Sequence, residues 1–243
     1  ALRYAAAEPE LASAVAETER LAGELGREAE LIDAYRAIAP DVLDAQIQRR
    51  LYLDIADLAR AVRKDVELAR DFYQKVLDVQ PDDRRALAAL ESIYRETGDD
   101  DRLVEVLLRQ ASPELGASIE DQVAGLSEAS NLYMKRGRVE EAIGALDAVL
   151  ELAPERADIL YQLEDLYAKQ GRWHDVAQLY ERRLGFVTAM EEAVALRVQL
   201  GEVHEKHLHD IEAAVDNYAA ALGGNMRQPL AIQALERLMS DPD

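Results

Sequence analysis

Three of the four histidines in the chain lie within residues 201–210, GEVHEKHLHD, at His204, His207 and His209. One class of zinc hydrolases binds its metal through two histidines four residues apart on a helix, with a glutamate between them and a third ligand further on. His204 and His207 are only three residues apart, a spacing that permits some affinity for zinc or nickel but does not match the pattern. We therefore predict no resident metal. The three histidines remain candidates for an adventitious metal site, and a metal-dependent hydrolase using residues 204–209 is the remote alternative.

No other group of residues has the pattern of a catalytic site. The sequence contains no glycine-rich phosphate-binding motif and no serine in the GxSxG context of a hydrolase nucleophile. It also contains no cysteine, which excludes disulfide bonds and thiolate metal sites. We predict that the protein is not an enzyme and needs no cofactor.

The chain is strongly acidic, with 48 acidic and 28 basic residues and a formal net charge of −20. This charge argues against binding to nucleic acid or to an anionic membrane surface, because both depend on basic patches. No apolar run reaches the about eighteen residues of a membrane span, and the longest, LVEVLL at 103–108, is broken by a charge. We predict a protein or peptide partner, with a basic one favoured by charge, and neither nucleic-acid binding nor direct membrane insertion.

The sequence repeats along its length. Apolar residues recur at three- and four-residue spacing with only seven prolines, which predicts an all-α fold. Three stretches run from a proline to a glycine over the same length, at 9–26, 81–98 and 154–171. Equivalent glutamates of these stretches and of a fourth, partial copy lie 72 or 73 residues apart: Glu19, Glu91, Glu164 and Glu236. A second set of similar helices lies between them, at 65–77, 139–150 and 210–222, so the repeating unit contains four helices.

One helix pair, at residues 123–156, carries a recognisable signature. Large, small and aromatic residues mark the first helix, a glycine the turn, small and large residues the second helix, and a proline the end: Leu126, Ala129, Ser130, Tyr133, Gly137, Ala142, Leu146, Val149 and Pro154. In this pattern the chain resembles the tetratricopeptide repeat family, and similar copies cover nearly the whole sequence. It departs from the family where Arg60 replaces the first-helix aromatic residue and where several copies have an acid at a small position.

The resemblance implies an all-α, right-handed superhelical solenoid of antiparallel helix hairpins, with about 13 helices. We expect residues 1–243 to form a single solenoid with approximate repeats 9–40, 41–82, 83–117, 118–155, 156–188, 189–226 and, in part, 227–243. Seven tyrosines fall on aromatic positions of the repeat and are predicted to be structural: Tyr94, Tyr133 and Tyr167 on first helices, and Tyr35, Tyr73, Tyr180 and Tyr218 on second helices.

The repeat frame also places the histidines. Residues 204–210 align with residues 59–65, ARAVRKD, which predicts that they form the last turn of a first helix and the bend after it. Partly positive side chains are favourable there because they interact with the free carbonyls at a helix C-terminus. We predict that Trp173 packs between the two helices of its own hairpin.

The second small position of the first helix is acidic in most copies: Glu19, Asp57, Glu91, Glu164, Glu202 and Glu236, with Ser130 as the exception. An acid near a seam between helices must be paired or reach water, because an isolated buried charge costs several kcal/mol. We predict ion pairs between Glu91 and Arg109 and between Glu164 and Arg182 or Arg183. The alternative is that these acids line a surface that binds a partner.

The resemblance implies a groove, formed by first helices, that holds a peptide or protein partner. Its facing residues would include Asp54, Arg85, Ser92, Arg95, Ser127, Asn131, Tyr161, Gln162 and Asp165. Among them Tyr161 is the favoured contact, as an aromatic residue without a role in the repeat. The predicted function is a non-enzymatic protein–protein interaction scaffold, and the alternative is a structural or self-assembling segment of a longer solenoid.

The start, end and composition of the sequence suggest its origin. Arginine greatly outnumbers lysine, which favours a bacterial source, and the chain begins with alanine and stops inside an apparent helix. This is typical of a segment taken from a larger bacterial repeat protein. We expect a cytoplasmic location, with flanking repeats of the parent chain or weak self-association as further contacts.

Overall fold

The computed structural model describes the backbone of residues 9–240 and the side chains of residues 17–240; both ends of the expected solenoid, 1–8 and 241–243, lie outside the described residues. Residues 9–240 contain α-helices and no β-strand, which confirms the predicted all-α fold of helix hairpins. The thirteen helices are α1 (Pro9–Glu24), α2 (Glu28–Ile38), α3 (Ala45–Leu58), α4 (Val66–Val79), α5 (Arg84–Thr97), α6 (Asp100–Gln110), α7 (Ile119–Lys135), α8 (Val139–Leu152), α9 (Ala157–Lys169), α10 (Trp173–Leu184), α11 (Met190–Val203), α12 (Ile211–Gly224) and α13 (Pro229–Ser240).

The helices form two compact units, which we call the N-terminal unit (Ala1–Glu128) and the C-terminal unit (Ala129–Asp243). In the N-terminal unit each helix from α1 to α6 packs against the next one along the chain. In the C-terminal unit the same holds from α8 to α13. Odd-numbered helices are the first helices of hairpins and even-numbered ones the second. None of the described helices has the length and apolar character required to cross a membrane.

Each first helix ends at a residue in the left-handed region of the backbone. Four of the six hairpins have glycine there, for example Gly98 with φ 71°, which has no Cβ to clash. The other two have Lys64 with φ 54° and His209 with φ 56°. The second helix then begins directly after an N-cap residue, and Asp65, which accepts from Leu68 N at 3.0 Å, is one of several aspartates that cap it.

The two turns without glycine share an unusual helix end. Residues Ala59–Arg63 and His204–Leu208 both form a π-helical turn, and these are the segments that the repeat frame aligns. The prediction that residues 204–210 form the last turn of a first helix and the bend after it is confirmed. His209 is the left-handed residue that ends this turn, and Asp210 caps α12 by accepting from Ala213 N at 3.0 Å.

Small residues let the two helices of a hairpin approach closely. Ala56 in α3 is fully buried, and Gly201 occupies the equivalent position in α11. A Cβ on Gly201 would lie only 2.7 Å from the ring of Tyr218, so a larger residue would force α11 and α12 apart. Tyr218, with Val194, Val198 and alanines of α12 and α13, forms a buried apolar cluster in the C-terminal unit.

The acids beside these small positions accept hydrogen bonds from tyrosines of the second helix. Tyr35 donates to Glu19 at 2.7 Å, Tyr180 donates to Glu164 at 2.7 Å, and Tyr73 donates to Asp57. In all three pairs the tyrosine follows the acid by sixteen residues. Each tyrosine ring is buried, as predicted, and its hydroxyl gains an acceptor that the core could not otherwise provide.

The predicted seam ion pairs are confirmed in one hairpin and wrong in another. Arg183 Nη1 lies 3.8 Å from Glu164 Oε2, whereas Arg182 donates to the carbonyl of Leu150. Glu91 does not pair with Arg109. It pairs with Arg95, one turn further along its own helix, at 2.9 Å.

Replacing Tyr180 by Phe tests the seam hydrogen bond. We expect Tyr180→Phe to lower the free energy of unfolding by about 1–2 kcal/mol, because Glu164 loses its hydroxyl donor at a half-buried position. Tyr133→Phe is the matched control in the C-terminal unit, since Arg138 lies over the Tyr133 ring and its hydroxyl has no hydrogen bond among the described residues. Urea unfolding followed by circular dichroism measures both, and equal losses would contradict the expected role of the bond.

Candidate functional site

A cleft of the N-terminal unit lies between α5, α6 and the start of α7 and has a volume of about 360 Å³. It opens where the chain takes an eight-residue connection, 111–118, from α6 to α7, in place of the two-residue turn between α5 and α6. The connection is well ordered by local bonds. Ser112 Oγ accepts from Glu114 N at 3.2 Å, and Ser118 Oγ accepts from Asp121 N at 3.1 Å to cap α7.

The floor of the cleft is apolar. Leu87 from α5, Leu107 from α6 and Ala111, the first residue of the connection, line it as buried residues. Gly125 of α7 lies so close to the end of α6 that a Cβ would be 2.9 Å from the Cβ of Ala111. Ala124, on the same helix, lines the cleft with an exposed side chain. The surface therefore suits an apolar side chain of a ligand.

Two arginines of α5 mark the ends of the cleft. Arg95 forms a bidentate ion pair with Glu128 of α7, with Nη2–Oε2 at 2.7 Å, and also donates to Glu91. The hydrogen bond to Glu128, followed by that to Glu91, raises the pKa of Arg95 further above its usual value. At the other end, Arg84 donates to the carbonyl of Leu115 in the connection. Both arginines thus link α5 to the opposite wall.

Charged pairs also join the first helices elsewhere in the N-terminal unit. Arg85, predicted to face a groove, pairs with Asp57 of α3. Ser92, another predicted groove residue, accepts a hydrogen bond from Arg60 Nη2 at 2.9 Å.

Ser127, also predicted to face a groove, makes no such contact. It is half-buried, and its hydroxyl has no hydrogen-bond partner among the described residues.

Asp54 is the predicted groove residue with the most unusual environment. Its Oδ2 is buried without a hydrogen-bond donor, and the nearest cation is Arg50, with Nε at 3.6 Å. Burial, and next the negative charge of Glu19, raise the pKa of this carboxyl to about 6.

The remaining predicted groove residues lie in the C-terminal unit. Tyr161 is 57% exposed, and the guanidinium of buried Arg183 lies 4.8 Å from its ring centroid. Asp165 pairs with Lys169 one turn further along α9, at 2.6 Å. Asn131 and Gln162 are exposed on α7 and α9. Of the nine predicted residues, only Arg95 lines the cleft between α5 and α7.

The histidines contribute a ring stack to the C-terminal unit. The ring of His207 lies parallel to that of Trp173, with centroids 3.5 Å apart and planes 10° apart. The prediction that Trp173 packs between its own helices is wrong, because its ring stacks on the π-helical turn of the next hairpin. Among the described residues no group of three His, Asp or Glu side chains is arranged to hold a metal ion.

Sequence reasoning missed most of the cleft. Leu115, Ala124, Gly125 and Glu128 were not singled out, because each has an ordinary residue type for its helix or loop. The signal that could have revealed them is the length of segment 111–118, which has no counterpart in the neighbouring turns.

Comparison with known proteins agrees with the repeat pattern. Residues 86–116, 126–160 and 159–194 match the model of the tetratricopeptide repeat. Among solved structures, the MamA protein is 22% identical, with 74% of this chain and 93% of that chain covered and a TM-score of 0.35. YrrB, described as a protein of this repeat class with an unusual peptide-binding site, is 16% identical (83% and 96% covered, TM-score 0.35). PilF of Pseudomonas aeruginosa is 15% identical (86% and 98% covered, TM-score 0.34). No curated protein sequence matches the chain.

Replacing Asp54 by Asn tests whether burial of its carboxylate destabilises the fold at neutral pH. A carboxyl group whose pKa is about 6 in the folded chain and about 3.9 in the unfolded chain stabilises the fold at low pH, and this contribution is lost as the pH rises through 6. We expect Asp54→Asn to raise the free energy of unfolding by about 1–2 kcal/mol at pH 7.5, after allowance for partial exposure, and by little at pH 4.

The control is Asp78→Asn, which removes an exposed, unpaired carboxylate from α4 of the same unit. Chemical denaturation at several pH values measures both variants. A gain for Asp54→Asn that does not change with pH would contradict the assigned cause.

Proposed function

We propose that the chain, which matches the tetratricopeptide repeat at residues 86–116, 126–160 and 159–194, is a non-enzymatic scaffold that binds a peptide segment of a partner protein in the cleft between α5 and α7. The observation that carries this proposal is the cleft itself, which combines an apolar floor with charged groups at its ends. Peptide-binding sites have this composition, because apolar contacts supply affinity and a few polar groups fix orientation.

The neighbouring first-helix surface extends the proposed site. Arg85 and Ser92 lie on α5 beside the cleft; Arg85 pairs with Asp57 of α3, and Ser92 accepts from Arg60 in the π-helical turn after α3. These contacts keep the helices at fixed spacing, so a bound segment would meet a largely preformed surface. The groups of the C-terminal unit, led by Tyr161, remain proposed contacts for the same or another segment of the partner. A cytoplasmic location and a bacterial source remain predictions.

Self-association is the second candidate, favoured by exposed apolar side chains of α13. Leu230 is 53% exposed and Met239 is 82% exposed, while Leu235 and Leu238 are only partly buried. We expect Leu230→Glu to reduce any concentration-dependent increase in mass seen by light scattering. A mass that stays monomeric at every concentration in the unchanged protein would remove this candidate.

Ala124→Arg tests the proposed cleft. Peptides selected from a random display library on the unchanged protein are expected to bind Ala124→Arg at least tenfold more weakly, because the long side chain fills the space above the floor. Ala34→Arg is the matched control, since Ala34 is also exposed, on α2 of this unit, and does not line the cleft.

Fluorescence anisotropy gives the dissociation constants of the selected peptides, and circular dichroism checks that both variants are folded. If Ala124→Arg and Ala34→Arg bind every selected peptide as the unchanged protein does, the binding site lies elsewhere.

A further inference from the structure

The cleft carries an uncompensated negative charge. Its charged lining residues are two arginines, Arg84 and Arg95, and three acids, Glu91, Asp121 and Glu128, which gives a net charge of 2 − 3 = −1. Arg84 and Asp121 lie at the end near the connection, where the charges balance. The excess therefore belongs to the other end, where one arginine serves two glutamates.

Arg95 has little free capacity for an incoming anion, because four of its five N–H donors are already used. Its Nε and Nη2 donate to Glu91 Oε1 at 3.1 and 2.9 Å, and its Nη1 and Nη2 donate to Glu128. An acidic group of a ligand would find a single N–H donor there and would approach two carboxylates. Glu91 Oε2, in contrast, accepts no hydrogen bond and is open to solvent. A carboxylate oxygen with free lone pairs accepts readily from an ammonium or guanidinium group.

The repeat pattern explains why Oε2 of Glu91 has no hydrogen-bond donor within the protein. In three other hairpins the acid at this position accepts from a tyrosine sixteen residues later. The residue sixteen after Glu91 is Leu107, which has no hydroxyl and instead contributes to the cleft floor. This one exchange, leucine for tyrosine, thus leaves Oε2 of Glu91 without a donor and places an apolar residue beside it.

The distance between floor and charge sets the spacing that a ligand needs. Leu87 precedes Glu91 by four residues on α5, and Ala124 precedes Glu128 by four residues on α7. On both walls the apolar contact and the carboxylate are therefore one helical turn apart, about 5–6 Å. In an extended peptide, side chains two residues apart point the same way and are about 6.6 Å apart.

We propose that the cleft selects an extended segment with an apolar side chain, held against Ala124 and Leu107, and a lysine or arginine two residues away, held by Glu91 and Glu128. This inference rests on the proposed function and adds the chemistry of the partner. The net charge of −20 acts in the same direction, because it draws basic partners toward the protein.

The test uses defined peptides as probes. The peptide GSGLSKSGS carries the proposed pattern, GSGLSESGS reverses the charge, and GSGSSKSGS removes the apolar side chain. Titration of the ¹⁵N-labelled full chain with each peptide at millimolar concentration, followed by NMR, gives dissociation constants and locates binding from the amides of residues 84–128. We expect GSGLSKSGS to bind at least fivefold more tightly than either relative, with the charge preference decreasing between 20 and 300 mM salt.

Two variants separate the effect of the carboxylate of Glu91 in the cleft from the effect of the protein's overall negative charge. Glu91→Gln is expected to reduce the preference for the lysine peptide over the glutamate peptide by at least half. Glu105→Gln removes the same charge from an exposed position of α6 outside the cleft, and it is expected to leave the preference unchanged.

The outcomes distinguish this inference from the proposal on which it rests. If both leucine peptides shift cleft amides with equal affinity, or if Glu91→Gln keeps the full preference, the basic selectivity is wrong and peptide binding in the cleft stands. If no peptide shifts an amide of residues 84–128, the cleft is not a binding site and both proposals fail.

Discussion

The structure depends on close contact between the first and second helices of each hairpin. This contact requires a small residue on the first helix, as the 2.7 Å between a Cβ on Gly201 and the ring of Tyr218 shows. A tyrosine on the facing helix fills the seam with apolar area, but its buried hydroxyl then needs an acceptor. In three hairpins the acid next to the small residue provides it, and in the hairpin of α11 and α12 Tyr218 donates to Glu205, one turn further along. Burial, and then the bond to Glu19, raise the pKa of Tyr35 well above its usual value, so the hydroxyl remains a donor.

The same constraint produces the differences between hairpins. Where the second helix has leucine in place of tyrosine, the acid beside the seam has no hydroxyl to bind. In one such hairpin the acid is absent, with Ser130 opposite Leu146, and in the other Glu91 turns to Arg95 instead. The acid that bonds to a tyrosine across the seam in three hairpins is therefore available for other contacts at Glu91, where the tyrosine is absent. One position of the repeat thus has a structural role in three hairpins and the proposed binding role in another.

The sequence predicted the helices and their pairing well, because apolar spacing and the recurrence of Glu19, Glu91 and Glu164 record the periodic packing directly. It predicted all seven repeat tyrosines to be structural; six are buried, and Tyr133 is half-buried. Individual polar partners were harder to predict. Residue spacing paired Glu91 with Arg109, and the observed pairing with Arg95 depends on side-chain directions that spacing does not contain.

The cleft between α5 and α7 was beyond sequence reasoning for a related reason. Its floor is made of Leu87, Leu107 and Ala124, which fit the ordinary apolar pattern of their helices. Whether two such helices touch or separate is set by the connection 111–118, and a sequence does not state how far a loop of given length displaces the next helix. Ring stacking of Trp173 on His207 was missed because the two residues lie in different hairpins.

Two of the six described hairpins turn at a left-handed residue that is not glycine, Lys64 or His209. A left-handed backbone at a residue with a side chain costs about 1–2 kcal/mol compared with a right-handed one, whereas glycine adopts it freely. The turns of the hairpins α3–α4 and α11–α12 are therefore strained at Lys64 and His209. Local opening of the chain should begin at these two bends, so their amides should exchange with solvent deuterium sooner than those beside Gly98 or Gly171.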